Sequence, residues 1–127
     1  MQVLIVDYGM GNIASVQKAL DSIGIKSIIS NVISDFESSD YIILPGVGSF
    51  DYAMSQLNNS GMREKLDELV IEKCVPIIGI CVGMQMMGNR SDEGKSDGLG
   101  WIDADILKFD ESLIRHRTKL PHMGWND

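Results

Sequence analysis

Apolar residues along the first two-thirds of the chain are concentrated in four short runs. These are Val3-Leu4-Ile5-Val6, Ile25 to Ile29, Tyr41-Ile42-Ile43-Leu44 and Ile77-Ile78-Gly79-Ile80. Each is mostly β-branched, bounded by Gly, Pro, Asp or Ser, and lacks polar alternation, so each predicts a strand buried on both faces in a parallel sheet. Between them the period changes to that of a helix. Ile13, Val16, Leu20 and Ile23 share one face, with Gly24 placed to stop the helix. Met62, Leu66, Leu69 and Val70 mark another helix that ends before Pro76, and Phe50 to Leu57 predicts a short third one. Strands alternating with helices predict an α/β domain: a mostly parallel sheet flanked by helices, flavodoxin-like in class.

The last third has a different pattern. Ile102, Ala104 and Ile106 alternate with Asp103 and Asp105, which predicts a half-exposed, antiparallel strand. Residues 108–119 carry mixed charges without period and predict a loop or hairpin. No repeat or low-complexity linker interrupts the chain, which predicts that residues 1–127 belong to a single domain.

Composition narrows the function classes. The 127 residues are 44% hydrophobic and 23% charged, within the globular range, and the net charge of −7 disfavours nucleic acid or an anionic membrane as partner. No apolar run approaches a membrane span and no signal-peptide pattern opens the chain. Two cysteines do not make a disulfide framework, which predicts a reduced, cytoplasmic protein. Cys74 and Cys81 have the wrong spacing for a metal knuckle, and His116 and His122 lie far downstream, so neither metal nor cofactor is expected.

The most informative stretch is Gly79-Ile80-Cys81-Val82-Gly83, at the end of an apolar strand. This is the G-x-nucleophile-x-G spacing of a nucleophile elbow, a sharp strand-to-helix turn that exposes one side chain at the sheet's C-terminal edge. Glycines flank the turn because side chains there would collide. The helix that follows favours a thiolate at Cys81, and the Val82 N–H is a natural donor to a tetrahedral oxyanion. The competing reading makes Cys81 a small buried residue at a strand end. Cys74 has no such elbow and reads as structural. A second glycine-rich turn, Pro45-Gly46-Val47-Gly48, follows the third strand at the same edge, where parallel sheets place their ligands.

Gly79-Ile80-Cys81-Val82-Gly83-Met84-Gln85 resembles the nucleophile motif of class I, triad-type glutamine amidotransferases, and Pro45-Gly46-Val47-Gly48 resembles their oxyanion loop. Asp7-Tyr8-Gly9-Met10-Gly11-Asn12 and Pro121-His122-Met123-Gly124-Trp125-Asn126 narrow the likeness to glutaminase subunits of the imidazole glycerol phosphate synthase type. The resemblance implies that Cys81 attacks the amide of glutamine, forming a thioester and releasing ammonia. Val82 and the Gly46–Val47 peptide would stabilise the oxyanion; Gly48, Gln85 and Glu93 would bind the substrate, Glu93 at its α-ammonium group. Tyr8, Asn12, His122, Met123, Trp125 and Asn126 would face a synthase partner, a (β/α)8 barrel joined as a heterodimer that receives the ammonia for histidine biosynthesis. Gly100-Trp101-Ile102-Asp103-Ala104 looks more like relatives that supply ammonia for surface-sugar modification, an alternative acceptor for the same chemistry.

Two other readings stand beside this one. Gly9-Met10-Gly11-Asn12-Ile13-Ala14 fits a dinucleotide-binding fingerprint, but Ile28-Ile29-Ser30-Asn31 lacks the acidic residue that should follow the second strand. A noncatalytic interaction module would keep the fold without the chemistry. A cysteine nucleophile also needs a base. The family's late His-Pro-Glu segment does not occur before Asp127, so the resemblance predicts an N-terminal portion of a domain incomplete at its C-terminus. Such a portion would hydrolyse little or no glutamine alone and would leave sheet edge and apolar surface open.

Overall fold

The computed structural model describes residues 1–114 and Leu120. Four strands, β1 (Val3–Val6), β2 (Ser27–Ser30), β3 (Tyr41–Leu44) and β4 (Ile77–Gly79), form one parallel sheet in the order β2-β1-β3-β4. The helices are α1 (Ile13–Ser22), α2 (Ile33–Glu37), α3 (Phe50–Asn59), α4 (Arg63–Asp67) and α5 (Val82–Met86), with a π-helical turn over Glu68–Glu72 continuing α4. The α/β class and the parallel sheet agree with the apolar runs. β1 and β3 coincide with theirs. β2 lies further along than its run, because Ile25 donates its N–H to the Leu20 carbonyl and so belongs to the turn that closes α1.

Helical period turns into packing on one sheet face. Phe50, Ala53, Met54 and Leu57 of α3, Leu66 of α4 and Phe36 of α2 are buried against Leu4, Val6, Ile42 and Leu44. The other face holds a smaller cluster, Val3, Ile5 and Ile43, against which Ile13, Val16 and Leu20 of α1 pack. β4 is not buried on both faces as its sequence predicts. Ile78 is 64% exposed because α1 covers only the β1–β3 side of that face. An apolar groove of about 340 Å³, with Leu20, Ile25, Ile43 and Ile78 among its walls, opens there.

The antiparallel strand expected around residues 102–106 is also corrected. Only Asp105–Ile106 (β6) is extended, and it pairs in parallel with Arg90–Ser91 (β5). The preceding N–H groups bind elsewhere: Leu99 donates to Met86 O, Gly100 to Gly88 O and Ile102 to Met87 O. The segment thus satisfies the orphan carbonyls at the end of α5, and its alternating apolar pattern does not form a ladder. The described part of the predicted loop at 108–119 contains a 3₁₀ turn, Glu111–Leu113. Among the described residues, no helix is long and apolar enough to cross a membrane.

Candidate active site

Because β1, β3 and β4 are parallel and adjacent, the loops that leave them emerge at one edge. Leu44 is in register with Gly79, and the Leu44 carbonyl accepts the Ile80 N–H at 3.0 Å. The Pro45–Ser49 loop and the Cys81 turn therefore leave the sheet side by side. At the second of these the backbone reverses within four residues. The Ile80 carbonyl accepts the Gly83 N–H at 3.0 Å, and Cys81 has φ 56° and ψ −118°. These angles belong to the second position of a type II′ turn, which glycine normally occupies. A cysteine held there carries strain of about 1–3 kcal/mol. The turn leaves Cys81 exposed at the strand end, which rules out the small buried residue of the competing reading.

The flanking glycines have steric causes. A Cβ on Gly79 would lie 2.5 Å from Met84 Cα, and one on Gly83 would collide with the Leu44 carbonyl oxygen. On Gly46 it would lie 2.6 Å from the Gly83 nitrogen, so the two loops touch backbone to backbone. α5 has five residues, too short for the macrodipole expected to favour a thiolate. What remains is local: Val82 opens the helix, so its N–H has no intrahelical acceptor. Val47 and Gly48 are exposed beside this turn, and Gly46 is buried. A groove of about 470 Å³ runs past Cys81, with Asn12, Val16, Pro45, Val47 and Ile80 on its walls.

Gln85 and Glu93 approach each other through a residue that no sequence motif singles out. The buried Ser91 hydroxyl donates to Gln85 Oε1 at 3.4 Å and accepts the Glu93 N–H at 3.2 Å. Asp51 is a second such residue. Its carboxylate accepts the N–H groups of Lys95 and Ser96, each at 2.8 Å, which holds its pKa below the usual carboxylate value. Asp51 lies in the first turn of α3, immediately after the Pro45–Ser49 loop, so it ties the Glu93 loop to the loop beside Cys81.

Asn12 and Tyr8, both expected on a partner face, have different surroundings. Asn12 is exposed and caps α1, its side chain accepting the Ser15 N–H at 3.4 Å. Tyr8 is buried, 4% exposed, and its side chain points into the molecule toward Pro45. His122, Met123, Trp125 and Asn126 lie outside the described residues. At the Gly9–Ala14 turn, Gly11 is turned against the protein itself. A Cβ on Gly11, at φ 102°, would lie 2.8 Å from Pro45 Cβ, so this glycine lets the turn pack on the second loop. Among the described residues, no group of three His, Cys, Asp or Glu is placed to hold a metal.

The chain is similar to known proteins. The chain is 47% identical over 124 residues to imidazole glycerol phosphate synthase subunit HisH 2 of Pseudomonas aeruginosa, covering 98% of this chain and 60% of that protein. To subunit HisH of Bdellovibrio bacteriovorus it is 46% identical over 123 residues, covering 97% and 60%. It therefore spans about 60% of the length of these curated relatives. A solved glutamine amidotransferase shares the fold with a TM-score of 0.72 at 17% identity, over 91% of this chain and 59% of that one. The family described as the CobB/CobQ-like glutamine amidotransferase domain matches residues 5–121. With that match across nearly all of its length, the chain belongs to the CobB/CobQ-like glutamine amidotransferase domain family.

Proposed function

We propose that Cys81 is the nucleophile of a glutaminase. Its sulfur attacks the side-chain amide carbonyl of glutamine, and the tetrahedral intermediate collapses to a glutamyl thioester and ammonia. Water then releases glutamate. One observation carries the reading: a non-glycine residue sits at a glycine position of a type II′ turn, exposed beside a glycine-rich loop. Nothing in folding requires that strain, whereas presenting a thiol to a planar amide does.

In this reading the Val82 N–H and the Gly46–Val47 peptide donate to the oxyanion, in a site where such donors are worth several kcal/mol. Gly48 leaves room for glutamine, Gln85 contacts it, and Glu93 holds its α-ammonium group. A base must take the Cys81 thiol proton and, as its conjugate acid, deliver it to the leaving ammonia, and no histidine occurs among the described residues. The relatives' printed names, subunits of imidazole glycerol phosphate synthase, support a synthase as the partner that receives the ammonia. We propose further that this partner is a (β/α)8 barrel joined as a heterodimer, in the cytoplasm and for histidine biosynthesis. Asn12 and the 122–126 segment would meet that partner.

The test is a glutamine-mimicking electrophile such as a diazoketone analogue, with modified cysteines located by peptide mass spectrometry. Modification of Cys81 but not Cys74, slowed by added glutamine, is the expected result. Equal labelling of both thiols with no protection by glutamine would overturn the assignment.

A further inference from the structure

Tyr8 is buried directly beneath the loop that runs beside Cys81. Its hydroxyl donates to the Pro45 carbonyl oxygen at 2.5 Å and lies 3.4 Å from Met86 Sδ. A phenol has one hydrogen to give, and the carbonyl is the stronger acceptor, so the sulfur of α5 is a packing neighbour. The same hydroxyl oxygen stands 3.0 Å from where a Cβ of Gly46 would be. The Tyr8 hydroxyl and the Gly83 nitrogen thus crowd the same side of Gly46, the side on which any other residue would place its Cβ. Past Gly46 the restraint ends: Val47 is 48% exposed, and Gly48, at φ 79°, has open space around its Cα. The loop is held at Pro45–Gly46 and again at the Ser49 cap of α3, and its free stretch is Val47–Gly48. Burial also pushes the Tyr8 hydroxyl well above its ordinary pKa, so it remains a donor throughout the working range.

We infer that Tyr8 is a positioning residue for oxyanion stabilisation: by holding the Pro45 carbonyl it fixes the Pro45–Gly46 peptide, so only the peptides after Gly46 can turn toward the reacting carbon. The inference rests on the glutaminase reading above. It goes beyond it by assigning a role in the chemistry to a residue that touches neither substrate nor Cys81. The hydroxyl acts through the backbone, which separates two reactions of the same thiol. Acyl transfer from glutamine needs the oxyanion donors. Alkylation by iodoacetamide passes through no oxyanion and needs only an accessible Cys81.

The experiment compares the wild-type chain with Tyr8→Phe. Glutamyl-thioester formation, measured by trapping with hydroxylamine, should fall roughly tenfold to a hundredfold in the variant, with KM for glutamine nearly unchanged. Iodoacetamide labelling of Cys81 should keep its rate. Amide NMR of the unliganded chain supplies a readout independent of activity: the Gly46 and Val47 signals should shift and broaden, while those of Gly83 and Met84 stay in place. Unchanged Gly46 and Val47 signals, or equal thioester rates in both proteins, would overturn the role of Tyr8. A wild-type chain whose Cys81 is not labelled by the glutamine-mimicking electrophile would overturn the glutaminase reading, and the NMR comparison would still decide whether Tyr8 holds the loop. Should Tyr8→Phe not fold, 3,5-difluorotyrosine placed at position 8 keeps the shape and strengthens the donor. It should sharpen the same amide signals, and no change in them would count equally against the proposal.

Discussion

Cys74 and Cys81 share a backbone anomaly and differ in almost everything built around it. Both are exposed, and both have a positive φ, 54° and 56°. At Cys74 the left-handed residue ends the π-helical turn, with Val75 donating back to the Leu69 carbonyl at 2.9 Å. Glycine is the usual occupant of such a helix end, and all that the Cys74 thiol adds is a weak 3.9 Å hydrogen bond to the Ile71 carbonyl. At Cys81 the strained residue has glycines on both sides, a second loop against its backbone and an unpaired N–H next to it. Positive φ alone therefore does not mark a functional site. The marker is strain that the surroundings enforce from several sides and that folding does not need.

The comparison can be broken most directly at the sulfur. Cys81→Ser should lower glutamine-dependent thioester trapping by at least about a thousandfold. Cys74→Ser should leave it unchanged, and an equal loss in both would erase the distinction. The next effect is steric. Gly83→Ala drives a methyl into the Leu44 carbonyl and should destabilise the chain by about 3 kcal/mol or more, read from urea unfolding. Relief of strain is smaller. Cys81→Gly should stabilise by about 1–2 kcal/mol and Cys74→Gly by about 0.5–1 kcal/mol, since both positions suit glycine. Only the first should also lose labelling by the glutamine analogue.

The smallest effect is electrostatic and belongs to the Cys74 side. Glu68 bonds Lys65 and Lys73, each at 2.6 Å, and this holds its pKa near 2, below the ordinary 4.5. A carboxylate with a lowered folded-state pKa stabilises fully above its ordinary value and loses that contribution as pH falls through the folded one. Stability should thus decline between about pH 4.5 and 2, and Glu68→Gln should flatten that part of the curve. A Glu68→Gln curve identical to wild type would show that the ion pairs do not hold this end of the helix.

Much of the Cys81 region is legible in the amino-acid sequence, because its causes are local along the chain. The G-x-C-x-G spacing carries the turn, and the apolar runs at Val3–Val6 and Tyr41–Leu44 carry the strands on which the loops depend. α2 escapes such a reading because only Phe36 in it is buried, so it leaves no period to find. Residues 102–106 mislead because their alternation records neither burial, Ile102 and Ala104 being exposed, nor where the N–H groups bind. Asp51 and Ser91 escape for a related reason. A carboxylate in a first helical turn ordinarily interacts with its own helix. That its oxygens reach backbone 44 residues away, at Lys95, depends on a loop closure that leaves no local trace.

That closure bears on how the site responds to motion. The Pro45–Ser49 loop runs straight into α3 through the Ser49 cap, and the Glu93 loop hangs from Asp51 one residue past the helix start. Both loops therefore share a single mount. If α3 rocks as a rigid rod, the two are carried together and their separation is preserved, as two instruments bolted to one beam keep their alignment while the beam sways. Motion of the helix would then leave the separation of those two loops unchanged.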